Sequence, residues 1–147
     1  MHDRSILITG CSSGIGRCVA LGLRDRGYRV FATARRDRDI ELLEQSGLTA
    51  VRLHVDDPAS VADAASAVLA ASGGHVYGLF NNAAYGQPGA VEDLSWEALE
   101  AQLRTNLLGW HELTRRLIPG MRERGEGRII QNSSVLGLVA MPYRGCL

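Results

Sequence analysis

The chain has 147 residues, sixteen acidic and sixteen basic, and a formal net charge of zero. That length fits one domain with a real core. The balanced charge, with neither a basic stripe nor a polybasic cluster, excludes an electrostatically driven nucleic-acid or membrane partner and points to a small molecule.

Met1-His2-Asp3-Arg4 leads into a short apolar run, Ile6-Leu7-Ile8, too short for a signal peptide. No later segment reaches membrane-spanning length, so a cytoplasmic location is the simplest expectation. The run reads as a strand. It is followed by Thr9-Gly10-Cys11-Ser12-Ser13-Gly14-Ile15-Gly16 and then an amphipathic helix. Gly10 suits a sharp exit from the strand, Gly14 a close backbone approach to a pyrophosphate, and Gly16 close packing of helix on sheet. A helix starting near Gly14 aims unpaired N–H groups and its positive dipole end at phosphates. The candidate cofactor residues here are Gly10, Ser12, Ser13, Gly14, Ile15 and Gly16. A second β-like run, Tyr28 to Thr33, completes a βαβ unit and sets this turn apart from an ordinary strand-to-helix connection.

Arg38 to Gln45 predicts a short helix closed by Ser46-Gly47, and Thr49 to Val55 a third strand. Asp57-Pro58 opens an alanine- and valine-rich helix that runs to Ala71, and Ser72-Gly73-Gly74 breaks it. Val76 to Asn81 reads as a fourth strand. Ser95-Trp96-Glu97-Ala98 has the form of a helix N-terminus, and Leu99, Leu103, Leu107, Leu108, Leu113, Leu117 and Ile118 recur at helical spacing until Pro119-Gly120. Arg128 to Gln131 supplies a fifth strand. This alternation predicts an α/β fold, a Rossmann-type doubly wound parallel sheet of about five strands, with ligands outside the strands' carboxyl ends. Nothing divides residues 1–147, which read as one dinucleotide-binding domain.

Cys11, Cys18 and Cys146 lack metal-ligand spacing, and the four histidines stand singly, so neither a metal nor a disulfide is expected. Cys11 reads as a small residue filling the turn rather than a redox centre.

Four stretches in order carry a family resemblance. They are Thr9-Gly10-x-x-x-Gly14-x-Gly16, Asn81-Asn82-Ala83-Ala84, Thr105-Asn106-Leu107-Leu108-Gly109, and Gly127-Arg128-Ile129-Ile130-Gln131-Asn132-Ser133-Ser134. Together they resemble the short-chain dehydrogenase/reductase family, whose members use NAD or NADP to oxidise alcohols or reduce carbonyls. The resemblance adds Asn82 and Ala83 to the cofactor residues and implies Ser134 as the carbonyl-polarising serine and Asn106 as the proton-relay asparagine. Read without it, Ser133 and Ser134 would merely end a strand. Ala84 stands where the family has glycine, which asks the backbone there to avoid positive φ. His54 stands where the family often has an aspartate near the adenine; it either contacts the nucleotide or is a half-buried strand histidine without such contact.

The end of the second strand, Ala32-Thr33-Ala34-Arg35-Arg36, offers no acid for a ribose 2′-hydroxyl. Arg35 or Arg36, helped by Arg17, could instead grip a 2′-phosphate through a planar donor fork, so NADP is expected over NAD. The alternative is a solvated charged loop. The family's catalytic tyrosine would fall at Leu147, and its lysine four residues further on. Tyr143 comes four residues too early, and no lysine occurs anywhere in the chain. Free tyrosine, with a pKa of about 10, is a poor base at neutral pH without a neighbouring cation.

The expectation is therefore an NADP-dependent alcohol/carbonyl oxidoreductase chain, incomplete at its C-terminus, truncated, and inactive or weakly active. The alternative is a non-catalytic NADP-binding or sensing module. Without the family's later strands and helix, Ile129 and Ile130 should lie on an unpaired edge beside an apolar helix face, inviting aggregation or a homo-oligomer.

Overall fold

The computed structural model describes residues 4–145. Met1 to Asp3, Cys146 and Leu147, the last being the position aligned with the family tyrosine, lie outside the described residues. The elements follow in chain order: β1 (Ser5–Ile8), α1 (Gly14–Asp25), β2 (Arg29–Ala34), α2 (Asp37–Gln45), β3 (Thr49–Arg52), α3 (Pro58–Ala71), β4 (Gly78–Asn81), α4 (Trp96–Leu103), a π-helical turn (Arg104–Leu108), α5 (Gly109–Arg124) and β5 (Arg128–Gln131).

The five strands form one sheet in the order β3-β2-β1-β4-β5, and every pairing is parallel. The predicted doubly wound α/β sheet is thus the observed one. The largely apolar, buried central strands follow from cover on both faces. Leu7, Phe31 and Leu79 pack with Val61, Val68, Leu113 and Leu117 on the α3–α5 side, while Ile6, Ile8, Val30 and Ala32 pack with Ala20 and Leu43 on the α1–α2 side. Each fully buried aliphatic or aromatic side chain contributes about 1.5–3 kcal/mol. The order reverses at β1, so the ends of β1 and β4 flank the crevice where this topology binds ligands.

Helix starts follow the expected chemistry. Asp57 accepts from the Ala59 N–H at 2.9 Å with Pro58 in the first turn, and Ser95 accepts from the Ala98 N–H at 3.3 Å. Three expectations need correction. Pro119-Gly120 does not stop the long helix, which runs on to Arg124 and ends at Gly125 with φ 71°. Tertiary packing overrides the breaker, because Gly120 lies against the Gly73-Gly74 break so closely that a Cβ would sit 2.5 Å from the Gly74 carbonyl oxygen. The third strand ends at Arg52 rather than Val55, since β2, its only partner among the described residues, ends at Ala34 in register with Arg52. Leu53 and Val55 still enter the core. The fourth strand begins at Gly78 rather than Val76.

β5 pairs only with β4 among the described residues, and all four of its residues are exposed. The expected open edge is present. So is the exposed apolar helix face, with Leu99, Leu103, Leu107 and Ile118 all substantially accessible.

Candidate active site

The glycine turn is built as its sequence requires. Gly10 and Gly14 have φ of 71° and 56°, a region costly for other residues. A Cβ on Gly10 would sit 2.8 Å from Ala83 Cα, so this glycine also lets the loop after β4 close against the turn. Gly16 is tighter still: its Cβ would meet the Gly10 carbonyl oxygen at 2.3 Å and Asn82 Nδ2 at 2.7 Å. The close packing expected of Gly16 is thus against the turn itself. At Gly14, among the described residues, nothing beyond the chain neighbours and the helix's own backbone lies within 4 Å of a Cβ position, which leaves open space at the start of α1.

The hydroxyl of Thr9, fully buried, holds the ends of β1 and β4 together. It accepts the N–H groups of Asn82 and Ala83 at 2.8 and 2.9 Å and donates to the Phe80 carbonyl at 3.5 Å. Thr33 braces the turn from β2, accepting the Gly10 N–H on its hydroxyl at 3.3 Å and the Cys11 N–H on its carbonyl at 2.8 Å. Asn82 donates from Nδ2 to the carbonyls of Thr9 and Gly10 and accepts on Oδ1 from Asn132 Nδ2 at 3.0 Å. Its carboxamide therefore ties the turn to the segment that leads to Ser134. Cys11 is buried, its thiol donating to the Ile8 carbonyl at 3.3 Å, and desolvation pushes its pKa up to about 12. That environment suits a structural thiol, as expected from the sequence.

Two cavities open at this end of the sheet. The first, about 400 Å³, is lined by Gly10, Ser12, Ser13, Arg35, Asn82 and Ala83, all anticipated, and by Thr33, Asp56, Ala84, Tyr85 and Thr105, which were not. Gly14, Ile15 and Gly16 form the first turn of α1 beside it, with the Ile15 side chain 61% exposed. Arg36 is the exposed cap of α2, and neither it nor Arg17 lines the cavity. Of the three expected cations the structure brings only Arg35 to the site. His54 does not line the cavity; it is exposed and lies beyond β3, which corrects the half-buried strand alternative. The Ala84 backbone avoids positive φ, as its side chain demands. Ser13 makes no side-chain cap bond, unlike Asp57 and Ser95, so the first-turn amides of α1 are not satisfied by their own cap residue.

The second cleft, about 810 Å³, brings Asn106 and Ser134 together with Asn132, Trp110, His111 and Arg144. Ser134 Oγ accepts the Leu136 N–H at 3.1 Å, and among the described residues nothing accepts its proton. The hydroxyl can therefore donate. Asn106 lies in the π turn and grips the Tyr85 backbone, Oδ1 accepting the N–H at 3.1 Å and Nδ2 donating to the carbonyl at 2.7 Å. This uses one donor and one lone pair, leaving one N–H and one lone pair on the carboxamide. Tyr143 is 72% exposed and does not line the cleft. The described residues contain no cluster fit for a metal ion, and no helix among them is long and apolar enough to cross a membrane.

Comparison with known proteins agrees with this geometry. Residues 4–146 match the family model described as short chain dehydrogenase. The Escherichia coli (strain K12) protein named "Uncharacterized oxidoreductase YbbO" is 45% identical over 143 residues, covering 97% of this chain and 53% of that one. A short-chain dehydrogenase from Streptomyces avermitilis superposes with a TM-score of 0.89 at 35% identity, over 95% of this chain and 52% of that one. The F189W actinorhodin polyketide ketoreductase, solved with NADPH, gives 0.88 at 30% identity, over 97% and 57%. The chain belongs to the short chain dehydrogenase family of oxidoreductases. It spans about half the length of the relatives it matches.

Proposed function

We propose that the chain binds NADPH in preference to NADH across the glycine turn, and that the adjoining cleft receives a small alcohol or carbonyl compound for hydride transfer. The observation that carries this reading is the uncapped N-terminus of α1 beside a cavity that also holds Arg35. Helix amides and dipole favour a pyrophosphate, Gly10 and Gly14 supply the required backbone, and the Arg35 guanidinium suits a dianionic phosphate. The NADPH-bound ketoreductase relative is consistent with that choice.

Bound NADPH supplies the hydride. The chain's own groups orient and polarise: Ser134 can donate a hydrogen bond from its hydroxyl to the substrate oxygen, and the residual donor and acceptor of Asn106 can hold a relay water in the same cleft. Gly10, Ser12, Ser13, Gly14, Ile15, Gly16, Asn82 and Ala83 form the nucleotide seat. The 147 residues include no lysine to lower a tyrosine pKa. General acid–base groups contribute about 10²–10⁴ in rate, so we expect these residues alone to bind nucleotide far better than they turn it over.

The test is the selectivity of Arg35. Fluorescence titration should show tighter binding of NADPH than NADH, and Arg35→Ala should weaken NADPH about tenfold, the worth of one charge-assisted hydrogen bond, while leaving NADH within twofold. Equal loss of both nucleotides would contradict the assignment of Arg35 to the 2′-phosphate.

A further inference from the structure

The segment between β4 and α4 is held to the long helix by a regular series of hydrogen bonds. Asn81 Nδ2 donates to Thr114 Oγ1 at 3.1 Å, and Trp110 Nε1 donates to the Ala83 carbonyl at 2.8 Å. Asn106 grips both backbone groups of Tyr85, and Gln102 Oε1 accepts the Gln87 N–H at 2.7 Å. Alternate residues of the segment thus meet every fourth residue of the helix, in opposite directions. The alternation is that of an extended chain. Six extended residues advance about 20 Å and twelve helical ones about 18 Å, so the two repeats stay in step along the axis.

Around the axis they would not. Twelve α-helical residues turn through about 1,200°, which leaves Gln102 about 120° away from Thr114. The π turn, where the Gly109 N–H bonds to the Arg104 carbonyl, absorbs one extra residue, about 100°, and reduces the offset to about 20°. It brings all four side chains onto one stripe. Gly109 makes room for this junction: a Cβ there would collide with the Val55 carbonyl oxygen.

Asn82, Ala84 and Tyr85 line both cavities, so the segment held in this way is the wall between them. We propose that Gln102 and Trp110 are positioning residues that fix this wall through the π turn, setting how the nicotinamide end of the dinucleotide meets the substrate cleft. The sheet order supports that direction. Arg35 follows β2, whereas the wall follows β4, so a dinucleotide whose 2′-phosphate is on Arg35 reaches the wall with its opposite end. This deepens the NADPH reading and rests on it.

Gln102→Leu fills the buried site without an acceptor, and Gln102→Glu restores an oxygen there. With the 147-residue chain, Gln102→Leu, which removes the acceptor of the Gln87 N–H, should weaken NADPH about five- to tenfold, yet leave 2′,5′-ADP, which lacks the nicotinamide half, within twofold. Gln102→Glu should recover most of the NADPH affinity. In amide-exchange NMR, the Gln87 and Tyr85 N–H groups should exchange faster in the leucine variant. Unchanged NADPH affinity, or equal loss of both ligands, overturns the proposal. If the parent chain binds neither ligand, the cofactor reading fails instead and exchange alone decides: faster exchange at Gln87 and Tyr85 supports the positioning role, and unchanged exchange overturns it.

Discussion

Cys11 shows how a single side chain's surroundings override its intrinsic chemistry. It stands in a nucleotide-type turn, where a reactive thiol would be conspicuous, yet it is buried with its proton on the Ile8 carbonyl. Because its folded pKa lies at about 12 and an unfolded thiol titrates at about 8.5, the native state keeps a proton that the unfolded chain releases. Its contribution to stability is therefore complete below about pH 8.5 and declines as pH rises toward 12. We expect thiol labelling at pH 8, read by peptide mass spectrometry, to modify the exposed Cys18 at once and Cys11 only on unfolding. The stability difference between the parent chain and Cys11→Ala should shrink across the alkaline range; a difference constant up to pH 12 would contradict the shift. At this scale the sequence was partly legible. Glycine positions follow from backbone sterics that a spacing reveals, whereas Thr9, Thr33, Gln102 and Trp110 act on groups 15 to 74 residues away. No local pattern marks such pairings.

Among the elements, those with both a periodic apolar face and a chemical cap were readable. Asp57-Pro58 and Ser95 begin helices as their side chains dictate, and α1 opens at Gly14 as the turn requires. Pro119 misled because contact between Gly120 and Gly74 keeps the helix going through a residue that removes one of its hydrogen bonds. The π turn left no trace in the pattern, since Leu103, Leu107 and Leu108 keep helical spacing through it. The exposure of β5 was expected from the family resemblance, which places further strands beside it, and among the described residues it carries the physical hazard of an open edge. Ile130, 58% exposed there, should promote association through that edge. Sedimentation velocity across a concentration series should show self-association that Ile130→Arg reduces. Identical profiles for the two chains would place the contact elsewhere, with the apolar stripe of α4 as the next candidate.

For the whole molecule, one topology explains why motifs as far apart in sequence as those of Gly10 and Ser134 converge. Parallel strands joined by crossover connections deliver every strand's carboxyl end to the same side, so Gly10, Arg35, Asn82 and Ser134 are gathered there by connectivity alone. What the sheet could not reveal in advance was which cations face the cavity. Arg35 and Arg36, with Arg17 as a helper, were open candidates in the sequence, and the path of the chain into α2 separates Arg35 from Arg36. Surface pairing shapes the same loop, because Arg52 bonds the Arg35 carbonyl at 3.1 Å and pairs with Asp37. We propose that these residues together form the seat for a phosphorylated dinucleotide within one family-typical sheet. Isothermal titration calorimetry of the cooperatively folded chain with NADPH, and separately with NADH, tests it most directly. Saturable binding of one NADPH per chain, tighter than NADH, is the expected result; a folded chain that gives no binding heat with either nucleotide, across several temperatures, would contradict the proposal.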